Sequence, residues 1–153
     1  MEKKISSKSV EIKHLRKIFF EIVDLLSKNN LNFWVGGGLA EQIAGGVIDD
    51  DESHDIDFHI LAKDRGKLKK ILKDNAYKIR EQPWHKIQLY SKTGKKEQAE
   101  FVFLNEENNG YTYQARGQQY KCSKKVFGNR IYKIKSVEVK IPWPIKEYRN
   151  KKK

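Results

Sequence analysis

The sequence has few of the residues that mark secreted, disulfide-stabilised or membrane proteins. Its 153 residues include a single cysteine, Cys122, which excludes an internal disulfide and a cysteine-based zinc site. No apolar run reaches the roughly 18 residues that a transmembrane helix needs, and the opening MEKKISSKS lacks the apolar segment of a secretory signal. We therefore expect a cytoplasmic protein with no membrane partner, in which Cys122 is a small buried residue.

Several well-known functional signatures are also absent. The chain has no Gly-x₄-Gly-Lys-Ser/Thr loop, no Gly-x-Ser-x-Gly elbow and no zincin motif. It also carries no RNA-recognition or zinc-finger signature. P-loop ATPase, serine hydrolase and zinc protease chemistry are therefore disfavoured.

Charge is plentiful but unevenly distributed along the chain. The formal net charge is +12, yet residues 41–64 hold eight acids and one base, whereas residues 123–153 hold eleven bases and two acids. An acidic centre with a basic C-terminal part fits a site that holds metal and polyanion together, although a solvated basic surface explains many of the lysines equally well. The length predicts a single domain over residues 1–153, and seven phenylalanines, seven tyrosines and three tryptophans can supply its core.

The chain is organised around residues 33–60, FWVGGGLAEQIAGGVIDDDESHDIDFHI. Residues 33–35 are β-prone, and the three glycines at 36–38 then end the strand with a turn in which we expect positive φ. Apolar residues recur at helical spacing after this turn, so a short helix follows, and the glycines at 45–46 end it.

Two carboxylates lie on one face of the strand that comes next. Residues 54–60 alternate polar and apolar side chains, so Asp55 and Asp57 point the same way and repel each other unless a cation lies between them. Mg²⁺ usually takes one or two carboxylates plus substrate phosphates. The backbone N–H groups of Gly37 and Gly38, at a helix N-terminus, suit a phosphate. If the two strands are neighbours, this arrangement predicts metal-assisted nucleotidyl transfer.

This order of motifs resembles the nucleotidyltransferase superfamily, and within it the small antibiotic nucleotidyltransferases of the lincosamide and aminoglycoside 2″-adenylyltransferase kind. The residues that match the family pattern are Trp34, Gly37, Gly38, Ala40, Asp55, Ile56 and Asp57. The chain departs from the pattern at Leu39, where the family has a second tryptophan, and at residues 49–52, which are acidic where the family has arginines. We expect an α+β fold, in which a mixed, mostly antiparallel β-sheet has its helices packed on one side.

A third acid is predicted at Glu100, which interrupts the strongly apolar strand 98–104. It is either an edge-strand glutamate that faces water or, as the resemblance implies, the partner of Asp55 and Asp57 as metal ligand or general base. His59 shares their strand face and is expected to line the site. The family's loop arginines are absent, so Lys86 or bases from the C-terminal half must bind the triphosphate.

The resemblance implies an enzyme that transfers a nucleoside monophosphate from ATP, or another nucleoside triphosphate, to a hydroxyl of a small acceptor. Mg²⁺ or Mn²⁺ would be the cofactor, and an aminoglycoside or lincosamide antibiotic the acceptor, which makes antibiotic resistance the expected role. Two alternatives stay open: a nucleotidyltransferase that acts on RNA or protein, as in toxin–antitoxin systems, and an inactive basic module that binds nucleic acid. The oligomeric state is also open, a homodimer included.

Periodicity predicts the remaining elements. A helix of about five turns is expected from the N-cap Ser9, and another after the N-cap Asp64. Residues 85–104 are expected to form a β-hairpin, and residues 105–110 a polar loop. Short strands continue to residue 141, and residues 142–144 end the sheet. A Pro-x-Pro-type segment that leads to a tyrosine also resembles the small nucleotidyltransferases, and the helical region that follows it in some of them is expected to be missing.

Overall fold

The computed structural model describes residues 10–50, 56–82, 85–91, 93–94, 96–115 and 117–148. Its helices are α1 (Lys17–Lys28), α2 (Gly37–Gly45), α3 (Arg65–Asp74) and the single turn α4 (Ile145–Tyr148). Its strands are β1 (Glu11–His14), β2 (Phe33–Val35), β3 (Val47–Asp49), β4 (Ile56–Leu61), β5 (Lys78–Gln82), β6 (Lys86–Tyr90), β7 (Glu97–Glu107), β8 (Gly110–Ala115), β9 (Gln118–Ser123), β10 (Ile131–Ile134) and β11 (Val137–Lys140).

Seven of these strands form the main sheet. Five follow the order β2-β4-β7-β6-β5, and the long strand β7 also pairs with β8, which pairs with β9. Strands β4 and β7 run parallel, while the other neighbours in this sheet run antiparallel. The expected α+β fold with a mixed, mostly antiparallel sheet is therefore confirmed, and the two motif-bearing strands β2 and β4 are neighbours.

The helices α1, α2 and α3 cover one face of this sheet. Alternation along β4 and β7 places Phe58 and Phe101 on that face, where their rings stack with centroids 5.5 Å apart. Phe19 of α1 stacks on Phe58 at 6.1 Å, and both side chains are fully buried. A second apolar cluster, on the other face, contains Trp34 and residues of β8, β9 and α4. The packing of α1–α3 on one side agrees with the expectation.

Three predicted elements differ from the structure. The first helix begins at Lys17 and not near Ser9, which lies outside the described residues, because residues 11–14 pair in parallel with β3 instead. That pairing satisfies backbone groups that a helix would otherwise use, so tertiary contacts override the helical spacing. The loop expected at 105–110 is largely strand, since β7 runs to Glu107 and turns directly into β8. A helical turn, α4, follows Pro144 where none was expected.

The helix after Asp64, the short helix that ends at the glycine pair and the hairpin of β6 and β7 are confirmed. None of the helices in the described part of the chain combines the length and the apolar character that crossing a membrane requires.

Candidate active site

Acidic residues from β4 and β7 lie side by side on the sheet face opposite α1–α3. Asp57 is in register with Glu100, and Gln88 of β6 is in register with Glu100 on its other side. Registered residues on neighbouring strands point to the same face about 4.8 Å apart, so the three side chains form one polar row. The other predicted acid of this strand region, Asp55, lies outside the described residues.

Glu100 is held by two polar neighbours from β6. Its Oε1 accepts a hydrogen bond from Lys86 Nζ at 3.2 Å and a longer one from Gln88 Nε2 at 3.4 Å. The glutamate is 17% exposed and the lysine 26% exposed, so the ion pair is partly shielded from water. Because β7 lies between β4 and β6, the alternative of an edge-strand glutamate is wrong.

The glycine turn is joined directly to the strand that carries Asp57. The backbone N–H of Gly36 donates to the carbonyl oxygen of Asp57 at 2.8 Å. Gly37 alone of the three glycines has a positive φ, +59°, and a Cβ at this position would overlap the Asp57 carboxylate. Gly38 has open space where its Cβ would be. The expectation of positive φ is thus right for Gly37 only, and the turn presses its backbone against an acid of the site.

These elements enclose a cleft of about 800 Å³. Five of the six predicted site residues line it together: Gly37, Gly38, Asp57, Lys86 and Glu100. His59 lines the cleft as well, as expected from its strand face. Gln88 contacts Glu100 from outside the lining, and was not singled out from the sequence.

Three tyrosines in the cleft wall were also not anticipated. Tyr113 of β8 and Tyr120 of β9 stack with ring centroids 5.1 Å apart, and Tyr148 of α4 stacks on Tyr113 at 5.8 Å. Each side chain is at least nine-tenths buried. The β-prone character of residues 111–113 and 120–122 is a local signal for the first two, but it does not tell which strand β8 joins.

A buried ion pair anchors the acidic end of the cleft. Arg16 donates from Nε to Asp50 Oδ2 at 2.8 Å and from Nη2 to Asp50 Oδ1 at 2.9 Å. The two side chains are 11% and 5% exposed. This bidentate contact joins the residue before α1 to the residue after β3, and it neutralises one carboxylate of the cleft lining.

Acids outnumber lysines and arginines in the described lining of the cleft. Glu41, Asp50, Asp57 and Glu100 face it, and Lys86 is the one lysine or arginine among the described lining residues. Of the basic residues described between 123 and 148, none is part of this lining. Among the described residues, no group of three or more His, Cys, Asp or Glu side chains is arranged so that it could hold a metal ion by itself.

Cys122 lies behind the cleft wall and not in the cleft lining. Its side chain is 6% exposed, and burial raises the pKa of its thiol from 9.0 to about 12, with the Glu147 carboxylate adding to the effect. A thiol that stays protonated is a poor nucleophile, which confirms its expected role as a buried apolar residue.

Comparisons with known proteins give a family match and several solved structures with a similar fold. The sequence model of the aminoglycoside-2″-adenylyltransferase family matches residues 18–142. Among solved structures, the lincomycin-bound lincosamide antibiotic adenylyltransferase LnuA is similar, with a TM-score of 0.66 and 18% identity over 92% of this chain and 85% of that one. The solution structure of the antibiotic-resistance factor ANT(2″)-Ia has a TM-score of 0.57 and 20% identity, over 82% of this chain and 63% of that one.

ANT(2″)-Ia in complex with adenylyl-2″-tobramycin is similar too, with a TM-score of 0.56 and 20% identity over 82% of this chain and 67% of that one. These likenesses establish the fold. No curated protein sequence matches the chain significantly.

Proposed function

This chain belongs to the aminoglycoside-2″-adenylyltransferase family and is therefore a nucleotidyltransferase, and we propose that it modifies a small hydroxylated antibiotic of the aminoglycoside or lincosamide class. The donor is ATP or another nucleoside triphosphate, and the product carries a nucleoside monophosphate on a hydroxyl oxygen. Residues 1–153 act as one nucleotidyltransferase domain. The observation that supports this best is the registered pair of Asp57 and Glu100 beside a glycine turn in one cleft.

Glu100 is proposed as the group that takes the acceptor proton. A carboxylate accepts a proton from a hydroxyl within hydrogen-bond reach, and the hydroxyl oxygen then forms a bond to the α-phosphorus while pyrophosphate leaves. Lys86 Nζ donates a hydrogen bond to one Glu100 oxygen at 3.2 Å and so helps to orient the carboxylate that would take the proton. Its ammonium also lies in the cleft, where it can pair with a phosphate oxygen.

The donor set of the cleft fits Mg²⁺ or Mn²⁺. Asp57 supplies hard carboxylate oxygens and Asp55 would add a second carboxylate, while Glu100, on the adjacent strand, is either a further ligand or the general base. Two carboxylates are enough when substrate phosphates complete the shell, which is the usual arrangement for Mg²⁺. When bound, the ion would neutralise charge on the triphosphate. The excess of acids over bases in the described lining favours a cation in this position.

We expect the phosphates to lie closest to Gly38, the last glycine of the turn. The N–H of Gly37 already donates to the Tyr148 hydroxyl at 2.9 Å, so it is less accessible to a phosphate than the sequence suggested. Gly38 lines the cleft and has no protein atom near its Cβ position, which lets a ligand approach its backbone closely. We therefore assign closest phosphate approach to Gly38, with Gly37 shaping the turn.

The acceptor has room in the part of the cleft that Tyr113 and Tyr120 line. A volume of about 800 Å³ lies within the usual range of 300–1,000 Å³ for small-molecule sites. The basic residues described in the C-terminal part lie outside the lining, so the cleft does not favour RNA as an acceptor or an inactive nucleic-acid-binding module.

The test is a transfer assay with α-labelled ATP, CTP, GTP and UTP, Mg²⁺ or Mn²⁺, and separate aminoglycoside, lincosamide and tRNA acceptors. We expect label to move to a small antibiotic and pyrophosphate to form in equal amount. Label on tRNA alone would show that the acceptor is RNA and not a small antibiotic. The lack of transfer under every condition would overturn the proposal.

The matched variants for this assay are Asp57→Asn and Glu21→Gln. Asp57→Asn removes one charge from the polar row and should abolish transfer with the fold intact. Glu21 lies on α1 at the surface and contacts Tyr77, so its amide variant should transfer at the wild-type rate. Near-normal turnover by Asp57→Asn with saturating metal would contradict its proposed role.

A further inference from the structure

A single hydroxyl group joins the glycine turn to the strand that carries the acids. The Tyr148 hydroxyl accepts a hydrogen bond from the backbone N–H of Gly37 at 2.9 Å and lies 2.7 Å from Nε2 of His59. His59 is two residues beyond Asp57 on β4 and on the same face. The hydroxyl thus contacts the turn directly and β4 through an imidazole.

The glycine at position 36 allows this close approach. A Cβ there would lie 2.6 Å from the His59 ring and 2.9 Å from the Tyr148 hydroxyl, both shorter than real carbon contacts. At Gly37, the next residue, the Asp57 carboxylate occupies the space that a Cβ would need. Two adjacent glycines therefore pack against two different parts of one network, the first against the His59–Tyr148 pair and the second against Asp57.

The C-terminal turn that carries Tyr148 is itself anchored from several sides. The Tyr113 hydroxyl donates to the carbonyl oxygen of Tyr148 at 2.9 Å, and the Ser123 hydroxyl donates to Glu147 Oε1 at 2.8 Å. Tyr148 is 3% exposed, and its ring packs edge-on against Phe127 with centroids 5.9 Å apart. These contacts hold the hydroxyl in place, so it can act as a fixed support for the turn.

We propose that Tyr148 is a positioning residue for nucleotidyl transfer: its hydroxyl fixes the Gly37 N–H and His59, and thereby holds the glycine turn against Asp57. This role rests on the proposed function of the same cleft. Tyr148 lies beyond residues 18–142, which the family comparison covers, so that comparison does not assign it a role. The orientation of the turn relative to Asp57 decides where a phosphate at Gly38 sits relative to the acids.

The test is Tyr148→Phe, which keeps the ring and removes only the hydroxyl. The Gly37 amide then loses its acceptor, and we expect its hydrogen exchange, followed by NMR, to accelerate about tenfold or more. In assays run well below the melting temperature of the variant, we also expect its KM for the nucleoside triphosphate to rise about fivefold or more. A tyrosine with a merely structural role would lower the melting temperature without moving that KM.

The matched control is Tyr132→Phe. Tyr132 of β10 is 3% exposed in the hydrophobic core and lies outside the cleft lining, so the loss of its hydroxyl should change neither the Gly37 exchange nor the KM. Unchanged Gly37 exchange in Tyr148→Phe would overturn the proposal, as would faster exchange with an unaltered KM.

Should Tyr148→Phe fail to fold, His59→Phe removes the other partner of the hydroxyl and keeps an aromatic ring in the cluster. The same two changes, in smaller measure, are then expected, and wild-type values for both would overturn the role. If the wild-type protein transfers no nucleotide from any triphosphate, the proposed function itself is contradicted. If Tyr148→Phe has the same turnover and KM as the wild type, only the positioning role is contradicted, and the proposed function stands.

Discussion

Gly37 lies in direct contact with the carboxylate of Asp57, so closely that the structure leaves no space for a methyl group between them. The contact arises because the turn after β2 folds over the end of β4, where the Gly36 N–H donates to the Asp57 carbonyl oxygen at 2.8 Å. The phosphate-binding turn and the metal-binding strand proposed here are therefore one packed unit, and a change in either displaces the other.

This contact predicts that Gly37→Ala is damaging for two separate reasons. Its φ of +59° costs an alanine about 1–2 kcal/mol, and the added Cβ would push on the Asp57 carboxylate. We expect a lower free energy of unfolding by at least that amount, measured by urea denaturation, together with loss of transfer. Gly45→Ala, in the same helix with open space around it, should lose no stability. Wild-type stability of Gly37→Ala would contradict the observed packing.

At Gly38 we expect a substitution to weaken nucleotide binding while the protein stays folded. A Cβ built there meets no atom of another part of the chain within 4 Å, so Gly38→Val is expected to fold, but its side chain would block the approach of a phosphate to the backbone. Titration calorimetry with Mg²⁺–ATP should give an affinity at least about tenfold weaker than that of the wild type. Unchanged affinity in a folded Gly38→Val protein would remove the turn from the nucleotide site.

Glu100→Gln tests the third acid. If Glu100 is the general base, the amide should cut turnover by about 10²-fold or more, because an amide cannot accept the acceptor proton. Mn²⁺ should raise the melting temperature of the wild type, since metal binds the native site and not the unfolded chain, and Glu100→Gln should weaken that rise. The readouts are a transfer assay and melting curves with and without Mn²⁺.

Glu97→Gln is the control for this substitution. Glu97 lies on the same strand and accepts a hydrogen bond from Gln88 at 2.9 Å, but it is not part of the cleft lining. Its amide variant should keep both the rate and the metal-induced shift. Were the two variants to exchange their behaviour, Glu97 and not Glu100 would be the third acid.

The thiol of Cys122 should be inert in the native protein. With its pKa raised to about 12, roughly 10⁻⁴ of the thiol is ionised at pH 8, against about a tenth for a thiol of pKa 9.0. Ellman's reagent should therefore react slowly with the folded protein and rapidly in denaturant. Fast reaction without denaturant would show that the wall formed by β8 and β9 opens readily.

The same burial predicts a loss of stability at alkaline pH. Above pH 9 the unfolded chain releases the thiol proton while the native state keeps it, so the free energy of unfolding falls as pH rises from about 9 towards 12. Burial also raises the pKa of Tyr111, which adds a decline of the same sign above pH 10. Cys122→Ala should flatten the first part of this profile, as measured by urea denaturation between pH 8 and pH 10.

Removal of Arg16 should cost more stability than removal of any exposed cation. Arg16→Ala leaves the carboxylate of Asp50, which is 5% exposed, without its bidentate partner, and loss of one member of a buried ion pair typically costs about 3–5 kcal/mol. Lys70→Ala breaks a fully exposed pair with Asp74 and should leave the denaturation curve unchanged. Similar curves for both variants would show that the Arg16 pair contributes little to folding.

The local sequence determined the elements whose geometry depends on nearest neighbours. A β-prone segment, three glycines and a helical spacing were enough to predict β2, the turn and α2, because positive φ and a 3.6-residue period are local properties. Alternation likewise placed Ile87 and Leu89 on one face of β6, and Ala99 and Phe101 on the core face of β7. The candidate acids and the glycine pair were all visible at this level.

Tertiary structure decided which of these elements meet. The register that sets Asp57 beside Glu100 depends on the pairing of β4 with β7, whose backbone partners no local pattern specifies. Residues 11–14 became a strand because β3 offered them hydrogen bonds, against their helical spacing. The contact between Gly37 and Tyr148 spans 111 residues of sequence. It exists because Tyr148 of α4 packs in an aromatic cluster with residues that lie far from it in the sequence, among them His59 and Tyr113.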